Sequence, residues 1–313
     1  MNEVIKEIRR ASKAGYHFIN LYQQCPRKWW IHYGLGLVPK QIGKALIYGK
    51  AWHEALEVIY TTNDETAALE RGLAELDACT AEYRYAEDLA VDKAKMRAMI
   101  PLWSAWWRGM SKEYDVLEVE HEYSAELASG AKMTFRPDAL LERKSDKTVY
   151  IAEHKSTSYS VDNMVHTVEA QDQATAYLWG LRKARPDLAP RICGVLLDIA
   201  YVRVYKGTVS DKGLVDGAIV NRTARDLAEF ELSMSGLFNE LGQKYLAWKS
   251  ASAPPVPVLF PRNGTACSLF GCEYENICRM TLASGLAMGD DYDIDPLVAQ
   301  DEVALRAVVG AAP

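Results

Sequence analysis

The 313-residue chain lacks any apolar run of 18 or more residues. Its most apolar stretch, 192–204, is interrupted by Asp198 and Arg203, so no membrane-spanning helix is expected. The first residues carry Glu3 and Glu7 with no apolar core or cleavage site behind them, so no signal peptide is expected and the sequence reads as a soluble, cytoplasmic protein without a membrane partner. No GxxxxGK[ST] stretch occurs, so any unwinding of nucleic acid must come from a partner. Internal repeats are absent. What is present, 49% hydrophobic and 25% charged residues, suffices for a sizeable core in one large domain or two small ones.

A net charge of -6 argues at first sight against a polyanionic partner, but the charge is unevenly spread. Residues 1–50 hold nine Lys or Arg, among them Lys6, Arg9, Arg10, Lys13 and Lys40, against only Glu3 and Glu7. Residues 284–313 hold six acids against Arg306 and read as an acidic peripheral tail with a last helix at 299–309. Local potential over a groove decides binding, so the total leaves DNA open as a partner.

With six cysteines, a disulfide framework is not expected in a cytosolic chain of this size, and clustered thiolates there suggest a metal. Cys79 and Cys193 stand alone and read as small buried hydrophobes. Cys267, Cys272 and Cys278 cluster in CSLFGCEYENIC, with Cys25 far upstream in QQCPRKWW. By count, four thiolates suit tetrahedral zinc or an iron–sulfur cluster equally well.

Apolar spacing around Cys25 and Pro26 predicts helix, break, helix over 17–33. Further helices are expected from about 45 to 60 and over 64–112, where Trp103, Trp106 and Trp107 mark a packed face more than a base-stacking platform. Alternation then predicts three strands, in DVLEVEHEYSAEL, MTFRPDALLE and TVYIAEHKS, forming a meander. A helix over 166–185, a buried strand over 192–204 and a helix over 218–249 follow, and Pro-rich sequence leads into the cysteine segment. The order implies an α/β core with a small mixed sheet decorated by helices.

A hairpin turn centred between Ser145 and Asp146 sets Asp138 opposite Glu153, with Cβ atoms about 4.5–5.5 Å apart. Lys155, two residues on, shares the face of Glu153. Two acids and a lysine suit Mg²⁺ or Mn²⁺ and phosphodiester hydrolysis, in which the metal polarises the phosphoryl oxygen and the ammonium steadies developing negative charge. An ordinary surface ion pair between Glu153 and Lys155 is the competing reading.

CPRKWWIHY at 25–33, GKAWH at 49–53, RPD at 136–138, EHK at 153–155, QATAY at 173–177 and the late cysteines occur together in this order, framing residues 17–280. In this the sequence resembles the PD-(D/E)XK nuclease superfamily, in particular its RecB-, Cas4- and AddB-like iron–sulfur branch. The resemblance implies a restriction-endonuclease-like αβββαβ core with a helical insertion at 64–112. It implies a single nuclease domain over 1–283, with motif helices at 17–60, the catalytic core at 114–205 and the cysteine segment at 254–280.

It further implies that His53, Asp138 and Glu153 bind the metal with the backbone carbonyl of His154, and that Lys155 is the catalytic lysine. Gln173 and Tyr177, one helical turn apart, would support the site or touch DNA. Gly49 would allow close approach to the helix, and Glu120 is a more distant support. HEALE at 53–57 begins like a zinc-protease helix but has Glu57 where the second histidine belongs.

Cys25, Cys267, Cys272 and Cys278 would hold a [4Fe-4S] cluster stapling the N- and C-terminal segments. Four residues separate Cys267 from Cys272, where the family usually has two, so zinc stays open. Arg27, Lys28, Arg136, Arg182, Lys183 and Arg185 are candidate phosphate contacts, and Trp29 and Trp30 either stack on bases or belong to the core.

The function so implied is a Mg²⁺- or Mn²⁺-dependent DNA exonuclease acting on ends or single strands in recombination, repair or phage DNA processing, with a helicase or recombination partner. A Cas4-like processing nuclease with a CRISPR-adaptation partner and a non-catalytic nucleic-acid-binding module are the alternatives. Intact Asp138, Glu153 and Lys155 count against the last.

Overall fold

A computed structural model describes residues 15–39, 43–80, 86–251, 256–270, 272–280 and 292–294. The basic side chains of Lys6, Arg9, Arg10, Lys13 and Lys40, the expected helix at 299–309 and all of the tail but 292–294 lie outside the described residues. Among the described residues no helix is long and apolar enough to cross a membrane. The chain divides into two compact units, one of Met1–Lys40, Glu126–Thr134 and Glu231–Pro313, the other of Gln41–Ala125 and Phe135–Phe230.

The chain opens with helix α1 (Tyr16–Gln24), short helix α2 (Pro26–Trp29), a π-helical turn (Trp30–Gly34) and strand β1 (Leu37–Pro39). Helices α3 (Lys44–Thr62), α4 (Glu65–Ala78) and α5 (Ala86–Met110) follow, then strands β2 (Tyr114–Val119), β3 (Tyr123–Glu126), β4 (Lys132–Phe135), β5 (Ala139–Arg143) and β6 (Val149–Thr157). Helices α6 (Val161–Ala170) and α7 (Asp172–Ala184) lead to the long strands β7 (Ile192–Tyr205) and β8 (Thr208–Val220). Helix α8 (Ala224–Ser250), short helices α9 (Val256–Leu259), α10 (Gly264–Phe270) and α11 (Glu275–Met280), and strand β9 (Tyr292–Ile294) complete the described elements.

The second unit is built on a five-stranded sheet in the order β2-β5-β6-β7-β8. All its ladders are antiparallel except β6 with β7, which run parallel and are joined over α6 and α7. Ala139 pairs with Ala152 and Glu142 with Val149, the register expected from the turn at Ser145–Asp146. One face of the sheet packs Tyr150, Ala152 and Leu196 against Trp52, Ile59, Met99 and Trp103 of α3 and α5. Helix α3 buries Ile47, Tyr48, Ala51, Trp52, Ala55, Leu56 and Ile59 at helical spacing and stops at Asn63, whose positive φ of 57° ends the last turn.

Several expected elements are divided or replaced. The run 114–126 breaks at Glu120, which takes a positive φ of 48°. MTFRPDALLE breaks into β4 and β5 because Pro137 has no N–H to give a ladder. The helix expected over 166–185 is two helices, separated at the extended Gln171, the first capped by Ser160 through the Asn163 N–H at 3.2 Å. The start of the helix expected over 218–249 is corrected: residues 208–220 form edge strand β8, and the helix begins at Ala224. Lys206 and Gly207 both take positive φ, 47° and 77°, giving the two-residue turn that folds β8 back on β7.

In the first unit Cys25 is extended between α1 and α2 with Pro26 opening the second helix, as the spacing around it predicts. Trp29 and Trp30 are fully buried, Trp29 meeting Phe18 edge-on at 5.4 Å and Phe260 at 5.8 Å, and Trp30 meeting Trp248 at 6.1 Å. They are core residues and offer no face to a base.

Gly180 of α7 lies flat on Phe135, and a Cβ there would stand 2.4 Å from the ring. Gly→Ala inside a helix gains about 1 kcal/mol, but overpacking a buried ring costs about 1–3 kcal/mol. Gly180→Ala is therefore expected to lower the melting temperature, and a rise on thermal denaturation would contradict this packing.

Candidate active site

Asp138 enters β5 immediately after Pro137 and is 8% exposed. Its Oδ1 stands 3.1 Å from His53 Nδ1 on α3, and its Oδ2 accepts the backbone N–H of His154 at 2.7 Å. The hairpin register carries Glu153 to the same place from β6, 3% exposed, with Lys155 donating to its Oε1. The other oxygen, Glu153 Oε2, is buried with no hydrogen-bond partner.

Glu120 donates its backbone N–H to the Asp138 carbonyl at 3.0 Å, and its carboxylate takes the Arg136 guanidinium at 3.0 Å. From α7, Gln173 Nε2 donates to the Tyr177 hydroxyl at 3.0 Å, which donates to the Arg136 carbonyl at 3.3 Å. His53, Asp138, Glu153, Lys155, Gln173 and Tyr177 all line one cleft of about 580 Å³ within the second unit. Gly49 lines it as well, and a Cβ there would meet nothing, so no protein contact requires glycine at that position.

Among the described residues, the ligand atoms of His53, Glu120 and Asp138 lie within 4.8 Å of one another and could hold a metal ion. One imidazole with two carboxylates suits a hard divalent cation; Glu153, whose Oε2 is buried without a partner in the same cleft, is not among the ligand atoms within that distance. Glu120 is a fuller member of this group than its sequence suggests, because the positive-φ turn that places it leaves no readable pattern.

The charges are strongly coupled. Burial opposes charge on His53, but the Asp138 carboxylate outweighs it and raises the imidazole to about 9. Burial would raise Asp138, and His53 reverses this, holding it well below the ordinary carboxylate range. Glu120 is pushed up to about 7 by burial and then by Asp138, against the pull of Arg136. Burial also raises Glu153, with Asp138 adding to the shift and Lys155 opposing it. Burial and the neighbouring Asp138 thus favour the protonated forms of Glu120 and Glu153, and a bound cation would oppose this.

Beneath the cleft, His154 Nδ1 lies 2.6 Å from Asp198 Oδ2 on β7, and Asp198 Oδ1 accepts the Trp103 indole N–H at 2.6 Å. Sequence reasoning singled out only the backbone of His154 and missed Asp198. The available signal was a charged residue in an otherwise apolar strand, which implies a buried partner.

Most candidate phosphate contacts are engaged within the protein. Arg27, 2% exposed, donates its Nε to the Phe260 carbonyl at 2.8 Å and lies over Trp30, so it is not presented to a phosphate. Lys28 pairs with Glu273, Arg182 binds the Ile192 carbonyl, Lys183 lies over Trp179, and Arg185 holds Asp187 and Glu118. Arg136 alone of this set lines the cleft.

Cys25 and Cys278 are buried and Cys267 and Cys272 partly so. Cys278 senses Cys25 and Cys267 electrostatically, and Cys272 senses Cys267, which puts the four thiols in one neighbourhood of the first unit. Among the described residues they do not come within 4.8 Å of one another as a group of ligands.

The family described as the PD-(D/E)XK nuclease superfamily matches residues 17–279. No curated protein matches the chain.

Because the folded pKa of His53 is raised, the stability it contributes is complete below its ordinary value of 6.5 and is lost as the pH rises through about 9. The melting temperature of metal-free protein is expected to fall between pH 7 and pH 10, and His53→Asn to flatten that fall. Parallel profiles for the two proteins would refute the pairing.

Proposed function

Since the chain belongs to the PD-(D/E)XK nuclease superfamily, we propose that it is a Mg²⁺- or Mn²⁺-dependent deoxyribonuclease, acting as an exonuclease on DNA ends or single strands during recombination, repair or phage DNA processing. The observation that carries this reading is the convergence of His53, Asp138, Glu153 and Lys155 on one cleft. The exonuclease reading is supported by the resemblance of the motif set to the RecB-like branch.

His53, Asp138 and Glu153 would hold the divalent ion, with Glu120 beside them and the His154 carbonyl as a further donor. When bound, the ion supplies Lewis-acid polarisation of the phosphoryl oxygen and of the attacking water. The water oxygen bonds to phosphorus as the bond to the leaving sugar oxygen breaks. The Lys155 ammonium, held beside Glu153, steadies the incoming hydroxide or the negative charge that grows on the phosphoryl oxygens. Gln173 and Tyr177 brace the Arg136 peptide at the cleft wall, and the Arg136 guanidinium, paired with Glu120, would offer a cation to a backbone phosphate there.

Read through the family resemblance, Cys25, Cys267, Cys272 and Cys278 would hold a [4Fe-4S] cluster, with zinc as the alternative. Cys25 comes from the N-terminal segment and the other three from the cysteine segment late in the chain, so such a cluster would act as a structural staple.

Two results test these readings on one anaerobic preparation. End-labelled DNA is expected to be cleaved with Mg²⁺ or Mn²⁺, and Asp138→Ala or Lys155→Ala to lose about 10²–10³-fold in rate; equal cleavage by either variant sinks the assigned site. Broad visible absorption is expected from the wild type and not from Cys25→Ser, whereas a colourless, zinc-bearing wild type would overturn the cluster and leave the nuclease reading intact.

A further inference from the structure

We propose that His154, Asp198 and Trp103 form a buried positioning network that fixes how Asp138 presents its carboxylate to a metal ion. The inference deepens the nuclease reading and rests on it only for the consequence in catalysis.

Alternation along β6 turns Glu153 and Lys155 to the cleft and His154 to the opposite, core-facing side. There the imidazole is 2% exposed, stacked on Tyr60 at 5.4 Å and met edge-on by Trp103 at 5.3 Å. Its Nδ1 is tied to Asp198 Oδ2 at 2.6 Å, and Asp198, 1% exposed, uses its other oxygen to take the Trp103 indole N–H at 2.6 Å. Rings on two sides and a hydrogen bond at Nδ1 hold the imidazole in one orientation.

A fixed side chain fixes its own peptide. The His154 N–H points at Asp138 Oδ2 and occupies it at 2.7 Å, leaving Oδ1 at 3.1 Å from His53 Nδ1. The carboxylate is thereby oriented from behind by its neighbour's backbone, and that backbone is anchored through three side chains on three elements.

Stability alone does not account for the arrangement. Replacing a buried polar pair by well-packed apolar residues is often neutral or stabilising, and the rings of Tyr60 and Trp103 beside it would pack against an apolar residue at 154. The atoms that the network controls belong instead to the metal-facing carboxylate. Partners that orient ligating groups in this way typically govern metal affinity, and their loss costs about 10–100-fold.

The test is a Mn²⁺ titration of the full chain without DNA, followed by the electron paramagnetic resonance signal of free Mn²⁺, with a thermal melt of each protein. Asp198→Leu, which removes both hydrogen bonds, is expected to weaken Mn²⁺ binding about 10-fold or more, and Asp198→Asn, which keeps hydrogen-bonding capacity without the charge, to recover part of the loss. A purely structural role would lower the melting temperature and leave Mn²⁺ affinity at the wild-type value, and that result overturns the proposal. If Asp198→Leu does not fold, Trp103→Phe decides: a smaller loss of affinity is expected, and wild-type affinity overturns the network. A wild type that does not bind Mn²⁺ also overturns it. A wild type that binds Mn²⁺ but leaves DNA uncut defeats the nuclease reading alone.

Discussion

A carboxylate buried at the entrance to a strand must be compensated or it will take up a proton, and Asp138 is compensated from two directions. His53 supplies a positive charge to one oxygen and the His154 peptide supplies an N–H to the other. Both donors constrain the fold. Helix α3 must lie where its histidine reaches the end of β5, and β6 must pair with β5 in a single register, because a slip of one residue would withdraw the N–H and turn Glu153 into the core. Pro137 frees the chain from the ladder just before Asp138, so the side chain stands at a strand end where a cleft can open.

Strand β6 joins two environments through its pleat. Tyr150, Ala152 and His154 face the aromatic packing of α3 and α5, while Glu153 and Lys155 face the cleft and α7. The core on one face thereby sets the positions of reactive groups on the other, and the parallel pairing of Glu153 with Leu197 and Lys155 with Ile199 holds this segment in the sheet interior. Buried charge is placed between neighbours of opposite sign, with Glu120, Asp138 and Glu153 interleaved among His53, Arg136 and Lys155.

What could be read from the sequence follows from how local the determining interactions are. The β5–β6 register was legible because a short polar turn at Ser145–Asp146 fixes which residues face each other. Helices α3 to α5 were legible from their apolar spacing. Strand β8 was not, because an edge strand exposed along most of its length lacks the alternation that marks a buried one. Arg27 looked like a phosphate contact because sequence does not tell where a long side chain goes, and here the guanidinium folds inward onto a carbonyl. The contacts of Glu120 and Asp198 arise from a strained turn and from a partner 44 residues away, neither of which leaves a local pattern.

The span of these contacts also bears on the order in which the site is assembled. The bond from the His154 peptide to Asp138 closes only 16 residues, whereas the His154–Asp198 bond closes 44 and the Trp103–Asp198 bond 95. Loop-closure entropy rises with the length closed, and local contacts form sooner than distant ones. On closure entropy alone, the acidic hairpin is the least costly part of the site to assemble, and docking Asp198 across the crossover to β7 costs more.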